Sequence, residues 1–343
     1  MYLSIIVPVY NSELYIEQCI ESLLNQDIDK NNYEIIIIND GSTDGSLRCI
    51  ENLRNKNRNI IVHTQKNKGL GAVRNKGILL SKGKYIYFID SDDYIVHNTF
   101  KLLINYLERY TLDIIGFDSI RCTRRLSMTN ITTIKPSEDP LVIKGMDFLK
   151  NYRYQHRLEA WWYIIRREYL LKTGHRFEEE KFFEDAIFTY RIFRDSRRTM
   201  FLNVDIHRYV ITPSSIMSRK SQNHLNKFVK DWVDLIFRFN NLSHEIFSAN
   251  YDDKLILVES IRYRQKINLH YLFIKWREFD FSIKEINQIL NEFEEIKIYP
   301  LKFTEEQYRQ NNLGFRLSIF LFNSKYLYFV ILKLARFLFN KRL

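Results

Sequence analysis

The chain has 343 residues, which suits two domains or one large domain with appendages. With 45% hydrophobic residues it can bury a sizeable core, and this excludes a chain that is disordered throughout. The formal net charge of +11 suits nucleic acid, an anionic membrane or a phosphorylated substrate, so the position of the charge has to decide. Three scattered cysteines without a CxxC pair disfavour a disulfide framework or a zinc site and favour a reducing compartment.

Apolar runs alternate with amphipathic stretches along the first 98 residues. The opening "MYLSIIVPVY" has no basic flank and no small-residue cleavage site, so it predicts a first strand, not a signal peptide. Four buried strands are predicted at 3–9, 34–40, 59–64 and 84–90. Helices are predicted between them, after Ser12 and at 45–55 and 69–82. This alternation indicates an α/β fold with a parallel sheet and right-handed crossovers.

The pattern changes after residue 98. The sequence predicts a helix at 99–109, a strand at 112–120, an irregular loop at 121–142, a helix over 145–172, a helix at 184–195 and a strand at 199–210. Residues 221–298 are amphipathic and helical in pattern.

Three carboxylates follow predicted strands. Asp40 and Asp90 lie at carboxyl ends of strands, where sheets of this type bind ligands, and Asp92 follows Asp90 with D-x-D spacing. Mg²⁺ or Mn²⁺ takes one or two protein carboxylates and fills its remaining positions with phosphate oxygens. "DSDD" taken alone is equally typical of a turn, because Asp and Ser are common turn formers.

Four motifs in order decide between these interpretations: "VPVYN", "NDGSTD", "NKGLGAVRN" and "DSDD", each after one predicted strand. This set resembles the inverting glycosyltransferases of family 2, over roughly residues 1–218 and most strongly over 1–98. The resemblance implies the GT-A nucleotide-diphospho-sugar transferase fold, a Rossmann-like, mostly parallel sheet flanked by helices, here with an α-helical C-terminal extension. We therefore expect a donor-binding half at 1–98, an acceptor and base half at 99–218, a helical extension at 219–312 and a basic tail at 313–343.

The resemblance also implies roles for individual residues. A nucleotide-diphospho-sugar donor would be bound by Pro8, Val9, Tyr10, Asn11, Asp40, Arg74, Asp90 and Ser91. Within that set, Asp40 would accept the uracil N–H, Arg74 would lie near the base and phosphates, and Asp90 would touch the ribose. Asn39 stands where the family often has a further acid. Asp92, with Asp90, would hold Mn²⁺ or Mg²⁺ against the diphosphate.

A second acidic stretch, "FFEDAIFTY", resembles the family's catalytic element. The resemblance makes Asp185 the base that deprotonates the acceptor hydroxyl and Glu184 its supporting residue. The alternative is simple compensation of a helix dipole, since acids are common in a first turn.

Two later stretches match the family more loosely. Trp161 stands in the family's Trp-rich element, where it either stacks on an acceptor sugar or is a buried aromatic. In "YVITPSSIMSR", Val210 replaces the usual arginine, so its phosphate-binding role is absent or moved to Arg208 or Arg219. His207 either reaches a metal or is a structural histidine.

The tail, residues 313–343, has six basic residues and no acidic one. On a helix over 324–340, Lys325, Lys333, Arg336 and Asn340 fall within a narrow arc among apolar residues. Charges interrupt the apolar runs too often for a transmembrane span, so the pattern favours a helix lying on an anionic membrane surface. The alternative is a helix docked on the protein core or on a second subunit.

The sequence therefore predicts a glycosyltransferase that moves a sugar, from a UDP-sugar in the first instance, to a saccharide or lipid-linked saccharide in capsule, O-antigen or exopolysaccharide synthesis. It would be cytoplasmic and peripheral on the inner face of the cell membrane, with 221–298 as a possible homodimer surface. The rival is a catalytically inactive nucleotide-sugar-binding module on the same fold. No Gly-rich turn follows the first strand and no GxxxxGK[ST] occurs, which disfavours dinucleotide oxidoreductases and P-loop hydrolases. The basic excess lies in an apolar tail, not in a polar stripe, so no nucleic-acid partner is expected.

Overall fold

The computed structural model of the chain describes residues 1–122, 140–151, 157–212, 222–249, 254–279, 281–309 and 313–340. These form two compact units, Met1–Ser215 and Ile216–Leu343. Most of the predicted loop 121–142 lies outside the described residues, as does Arg219. The subdivision predicted at residues 98 and 312 stays a prediction.

The first unit is built on one eight-stranded mixed sheet. Its strands are β1 (Leu3–Val9), β2 (Tyr33–Asn39), β3 (Ile60–Thr64), β4 (Tyr85–Phe88), β5 (Tyr94–Ile95), β6 (Ile114–Cys122), β7 (Tyr163–Arg166) and β8 (Thr199–Val210). They lie in the order β3-β2-β1-β4-β7-β6-β8-β5. The first four strands in this order pair in parallel, β7 runs antiparallel to both neighbours, and β6 and β8 are parallel to each other. The expected sheet fold is confirmed.

Helices cover both faces of this sheet. They are α1 (Ile16–Leu24), α2 (Ser46–Lys56), α3 (Leu70–Leu80), α4 (Phe100–Arg109), α5 (Gly145–Asn151), α6 (Arg167–Thr173) and α7 (Glu184–Asp195). On one face, Ile5 and Val7 of β1 belong to a core that includes residues of α1 and α4. On the other, Ile36 and Ile38 of β2 pack with Val73 of α3. Strands buried on both faces explain the continuous apolar runs in the sequence.

The helix predicted over 145–172 is wrong. Among the described residues of this range, 145–151 and 157–172, only α5 and α6 are helical, and β7 lies between them. Tyr163, Ile164 and Ile165 are fully buried in β7, between β4 and β6. A short apolar run fits a central strand as well as a helix, so periodicity alone could not separate the two.

The second unit is helical, as expected for the C-terminal extension. Its helices are α8 (Gln222–Ser248), α9 (Lys254–Lys275), α10 (Ile283–Glu295), α11 (Glu305–Arg309), α12 (Leu313–Asn323) and α13 (Lys325–Asn340). Buried hydrogen bonds join α8 to α9: Trp232 Nε1 donates to Asn268 Oδ1 and Gln265 Nε2 donates to the Ile236 carbonyl, both at 2.9 Å. Within the described part of the chain no single helix has the length and apolar composition of a membrane span, although α12 and α13 reach them together, with a bend of 109° between them.

Candidate active site

The loops that follow β1, β2 and β4 are tied to one another by short polar side chains. Asn11 has a left-handed backbone (φ 53°), its N–H donates to Ser42 Oγ at 3.1 Å, and its Oδ1 accepts from the Thr43 N–H at 2.8 Å. The hydroxyls of Ser12 and Ser91 lie 2.7 Å apart and share a hydrogen bond. Because these loops follow neighbouring parallel strands, they meet at one edge of the sheet. Three of the predicted motifs are therefore brought together there.

The predicted donor residues of the first motif occupy the end of β1. Pro8 and Val9 are buried within the strand, and Tyr10, which follows it, is half-buried. Val9 contributes its carbonyl, which accepts from the Asp40 N–H at 2.8 Å. The backbone here is thus fixed against the end of β2.

Asp40 is buried and fastens the loop that precedes α3. Its Oδ1 accepts from Gln65 Nε2 at 2.8 Å and from the Lys68 N–H at 2.9 Å, and its Oδ2 accepts from the Gly69 N–H at 2.9 Å. A carboxylate offers about four lone-pair sites, so these three donors leave room for one more. The residue predicted to read the base therefore also holds the third motif in place.

Arg74 is the cation at the centre of the acidic residues. Its side chain is 1% exposed, and it donates through Nη2 to Asp90 Oδ1 at 2.9 Å and through Nη1 to Glu184 Oε1 at 2.5 Å. Asp185 Oδ2 lies 3.9 Å from the same Nη1. The guanidinium also lies over the Phe177 ring, 5.3 Å from its centroid. One arginine from α3 thus joins the acid after β4 to the two acids that begin α7. Burial alone would lower the pKa of this arginine, but the three acids outweigh burial and raise the pKa above its ordinary value.

A close approach of backbones allows Arg74 to reach α7. A Cβ on Gly71 would lie 2.1 Å from the Glu178 carbonyl oxygen, so only glycine fits at this point of α3. Beside Arg74, the Asn75 side chain donates to the Phe177 carbonyl and accepts from the Phe177 N–H, each at 2.9 Å. Phe183, just before α7, has a left-handed backbone with φ 60°, a strained conformation that non-glycine residues adopt mostly at functional sites.

Glu184 and Asp185 differ in exposure, although they are adjacent. The Glu184 side chain is 6% exposed and hydrogen-bonded to Arg74, whereas that of Asp185 is 20% exposed. Burial and the neighbouring Glu184 carboxylate raise the pKa of Asp185 well above its usual range, while the Arg74 charge acts against this rise. An acid with a raised pKa is the stronger proton acceptor once it is ionised, so of the pair Asp185 has the better properties for a general base.

Asp92, in the same turn, is half-buried and has a different partner. Its Oδ2 accepts from Thr212 Oγ1 at 3.1 Å, and burial together with the Asp93 and Asp90 carboxylates raises its pKa to about 7. Negative charge that is only weakly compensated suits a cation. Among the described residues no three Asp, Glu, His or Cys side chains converge as a complete metal site. Carboxylates are the type of ligand that a hard divalent ion takes when one or two of them bind it and phosphate oxygens fill its remaining positions.

Comparison with known families identifies the fold and its motifs. The sequence profile described as Glycosyl transferase family 2 matches residues 4–194, which is more than half of the chain and includes all of the acidic residues described above. The chain belongs to glycosyl transferase family 2.

Family relatives with known names come from bacteria. The chain is 34% identical over 219 residues to the glycosyltransferase EpsJ of Bacillus subtilis. This alignment covers 62% of each protein. It is 48% identical over 97 residues to the poly(ribitol-phosphate) beta-glucosyltransferase of Bacillus spizizenii, covering 28% of this chain and 15% of that protein. The matches to these relatives thus span less than two thirds of their length.

Solved structures share the fold over nearly the whole chain. The structure of Staphylococcus aureus TarS 1–349 in complex with UDP-GlcNAc superposes with a TM-score of 0.67 at 21% identity, covering 99% of this chain and 92% of that one. A mannosyltransferase from Pyrobaculum calidifontis in complex with GDP-Man and Mn²⁺ superposes with a TM-score of 0.53 at 12% identity, covering 98% and 86%. At these identities the superpositions establish the GT-A fold.

The end of β8 contacts the acidic turn through Asp93. Asp93 is buried, and its Oδ1 accepts from the Val210 N–H at 2.8 Å. His207 is fully buried, hydrogen-bonded through Nδ1 to Ser119 Oγ at 2.9 Å, and its Nε2 lies 3.2 Å from Asp93 Oδ2. Burial raises the pKa of Asp93 and lowers that of His207 to about 3, so the histidine is neutral at physiological pH.

Two residues from the looser family matches have structural contacts. The Trp161 ring stacks on His207 at 4.4 Å and is 7% exposed, so little of it is open to a sugar. Arg208 donates to Asp205 Oδ2 at 2.9 Å and to the Asp205 carbonyl at 2.8 Å, and only 4% of its side chain is exposed. Transfer of the phosphate-binding role to Arg208 is therefore not supported by its position.

Two contacts at the site were missed from the sequence. Asn75, which follows Arg74 in the "RN" element, bonds the backbone of Phe177, in the segment before Glu184 and Asp185. Thr212, two residues after Val210, contacts Asp92. Both residues lie inside stretches that match family motifs. Their position in those motifs was therefore the feature that could have marked them as site residues, whereas their residue type was not.

Proposed function

We propose that the protein is an inverting glycosyltransferase that uses a nucleotide-diphosphate sugar, a UDP-sugar in the first instance. The observation that carries the proposal is the junction at Arg74, which joins Asp90 of the predicted donor site to Glu184 and Asp185 of the predicted base element. Donor and acceptor chemistry have to act on the same anomeric carbon, so the groups that serve them must lie within one small site. Membership of glycosyl transferase family 2 supports the reaction class.

The donor would bind at the tied ends of β1, β2 and β4. Asp40 has room for one further donor, which suits the imide N–H of uracil. Pro8, Val9, Tyr10 and Asn11 would line the base and ribose, with Ser91 alongside. A solved structure of TarS with UDP-GlcNAc, on the same fold, supports a uridine nucleotide as the first donor to test.

Asp185 would serve as the general base of a single displacement. Its carboxylate takes the proton of the acceptor hydroxyl while the hydroxyl oxygen forms a bond to the anomeric carbon. The bond from that carbon to the phosphate oxygen breaks, its electron pair leaves with the nucleotide diphosphate, and the configuration inverts. Glu184 stays bound to Arg74 and holds the guanidinium beside the base. Arg74 is 1% exposed and donates from each Nη to a carboxylate, so we assign it a positioning role and not direct binding of phosphate.

Asp92, with Asp90, would hold Mn²⁺ or Mg²⁺. A bound divalent cation supplies Lewis-acid stabilisation of the negative charge that develops on the diphosphate. Asp90 uses Oδ1 for Arg74, and its Oδ2 remains available to the donor side. Thr212 orients the Asp92 carboxylate through its hydroxyl.

We further propose that the acceptor is a saccharide, free or lipid-linked, in the synthesis of a surface polysaccharide. The poly(ribitol-phosphate) beta-glucosyltransferase among its relatives supports a polymer as the product. Work at the inner face of the cell membrane would bring the enzyme to lipid-linked acceptors.

The test measures hydrolysis and transfer from a panel of nucleotide sugars with Mn²⁺, for the wild type, Asp185→Asn and Asp92→Asn. We expect Asp185→Asn to lower kcat by about 10²–10⁴-fold, the usual contribution of a general base, and to keep its affinity for UDP. Asp92→Asn should lose the dependence of UDP binding on Mn²⁺, measured by calorimetry. Glu13→Gln, which alters a partly exposed acid that bonds Gly45 in the loop after β2, is the matched control and should keep activity.

Three outcomes would count against the proposal. If Asp185→Asn retains wild-type kcat, the base is elsewhere. If Mn²⁺ affects UDP binding equally in Asp92→Asn, the metal assignment is wrong. A wild type that binds UDP but is inert with every donor and a range of acceptors would favour the alternative, a catalytically inactive nucleotide-sugar-binding module.

A further inference from the structure

Helices α12 and α13 are anchored to the second unit through one side only. Phe315, Ile319 and Phe322 of α12 and Tyr328 and Leu332 of α13 are buried. The Tyr328 hydroxyl donates to the Phe273 carbonyl at 3.0 Å, within the second unit. The buried positions of each helix are three or four residues apart, so they form a single face.

Two of the tail cations belong to this anchored side. Arg336 Nη2 donates to the carbonyls of Trp276 and Phe279 at 2.9 and 2.8 Å, at the end of the 3₁₀ turn that follows α9. Lys325 Nζ donates to Asn291 Oδ1 at 2.7 Å and pairs with Glu294 Oε1 at 2.9 Å. For these two members of the predicted arc, the contacts are those of the alternative, a helix docked on the protein, because both bind polar groups of the second unit.

The opposite side of the two helices is apolar and open to solvent. Large side chains are exposed there: Leu313 (82%), Leu317 (62%), Phe320 (68%), Tyr326 (77%), Leu334 (59%) and Leu338 (61%). We call these six residues the apolar face. Lys333 on α13 and Arg316 on α12 are exposed near it, and at about 100° per residue Lys333 falls at the border of the α13 part.

We propose that the apolar face docks on an anionic lipid surface, with Lys333 and Arg316 against the headgroups. Exposed apolar residues rimmed by cations suit the interface of a bilayer, where side chains enter the acyl boundary and cations stay at the phosphates. Charge distinguishes this occupant from a second copy of the chain. Lys333 and Arg316 are exposed beside the face, and residues 313–343 include no acidic residue to pair with them. Two copies joined here would bring these like charges together, whereas anionic headgroups neutralise them. The proposal rests on the second unit alone and does not depend on the catalytic assignment.

The experiment is flotation of the full chain with vesicles of phosphatidylcholine, with and without phosphatidylglycerol. We expect binding to the anionic vesicles and much weaker binding to the neutral ones. Leu334→Glu/Leu338→Glu should lower the partition coefficient by at least about tenfold, because two side chains that would enter the bilayer become charged. Lys333→Gln should lower it by about fivefold on anionic vesicles and hardly on neutral ones.

Leu255→Glu is the matched control, since Leu255 is 68% exposed on α9 of the same unit but outside the apolar face. It should bind vesicles like the wild type. Equal loss in this control, or no effect of Leu334→Glu/Leu338→Glu, overturns the proposal. So does a wild-type dimer, measured by light scattering, that the double substitution dissociates without any vesicle binding. Wild-type far-UV circular dichroism and thermal unfolding of each variant show that the chain is folded, and because neither measurement uses a nucleotide, the result is separate from a failure of the proposed activity.

Discussion

Two arginines, one in each unit, are built into their surroundings in opposite ways. Arg74 in the first unit is buried among carboxylates that come from two distant parts of the chain. Arg336 in the second unit donates to main-chain carbonyls at the end of a helical segment, where the helix dipole favours a cation. The first joins acids at the candidate active site, whereas the second fixes a surface helix and thereby decides which side of it faces solvent.

The comparison shows where the position of a charged residue in the sequence is enough to predict its contacts. At the sheet edge, several acids follow strand ends, and such a cluster requires a cation that the fold must supply. Along the tail, the cations share one arc of a helix. That arc faces either solvent or protein, and the sequence of the helix does not show which of the two it contacts. Substitutions that remove each partner test this contrast.

The largest effect is expected from Arg74→Met. It leaves Asp90 and Glu184 without their common cation in a buried site, and breaking a buried ion pair in this way costs about 3–5 kcal/mol of unfolding free energy. The measurement is chemical unfolding, followed by far-UV circular dichroism. Arg74→Met/Glu184→Gln should recover part of the loss, since one unpaired charge is removed.

Arg54→Met is the matched control for this comparison. Arg54 pairs with Glu51 at 2.8 Å, but its side chain is 48% exposed, so the pair should contribute at most about 0.5 kcal/mol. If Arg74→Met destabilises the protein no more than Arg54→Met does, the guanidinium is not the cation that holds the acids together.

A smaller effect is expected from Asn75→Ala. The substitution leaves the buried N–H and carbonyl of Phe177 without their partners, which should cost about 2–3 kcal/mol. Because Asn75 positions the segment before α7, kcat should fall while the affinity for UDP is retained. Asn55→Ala, at an exposed position of α2, is the control and should change neither quantity. A fall in UDP affinity with unchanged kcat would contradict a positioning role.

The parts of the fold that could be predicted are those whose signal is local. Strands such as β1 and β2 are covered on both faces, and their continuous apolar runs are visible in the sequence, as is the acid that follows β2. β7 was missed because its four residues follow a helix and lead into another, and no periodicity marks so short an element. The sequence could name Arg74, Asp90, Glu184 and Asp185 as site residues but could not show which of them pair. The contact between α3 and α7 is long-range, and sequence spacing does not encode it.

Arg336→Met tests the second arginine. It leaves the carbonyls of Trp276 and Phe279 unpaired, so we expect a loss of about 1–2 kcal/mol of unfolding free energy. Lys333→Met, at an exposed position of the same helix, should have an effect within about 0.5 kcal/mol in solution. The contrast between the two arginines is lost if Arg336→Met matches Lys333→Met, because Arg336 would then be a surface cation like its neighbour.

The smallest effect concerns the pH dependence of the anchored side of α12. The Ser318 hydroxyl donates to the Phe315 carbonyl at 2.7 Å, so the contact of 2.7 Å between His270 Nε2 and Ser318 Oγ has the histidine as donor. Burial lowers the pKa of His270 to about 4, whereas an unfolded histidine has a pKa of about 6.5. The folded protein therefore binds fewer protons between these values, and the stability from neutral His270 is present above pH 6.5 and lost as the pH falls toward 4.

Relative to His270→Gln, the wild type should lose about 1 kcal/mol of unfolding free energy between pH 7 and pH 5, after allowance for solvent screening. The difference between the two proteins cancels acids that titrate in the same range, Asp92 included. His244→Gln, at an exposed position of α8, should follow the wild-type profile. Parallel profiles for wild type and His270→Gln would mean that the histidine is solvated in solution and that α12 leaves its place on α9. In that case the apolar face would not be held as one surface, and vesicle binding would have to be explained by a detached helix.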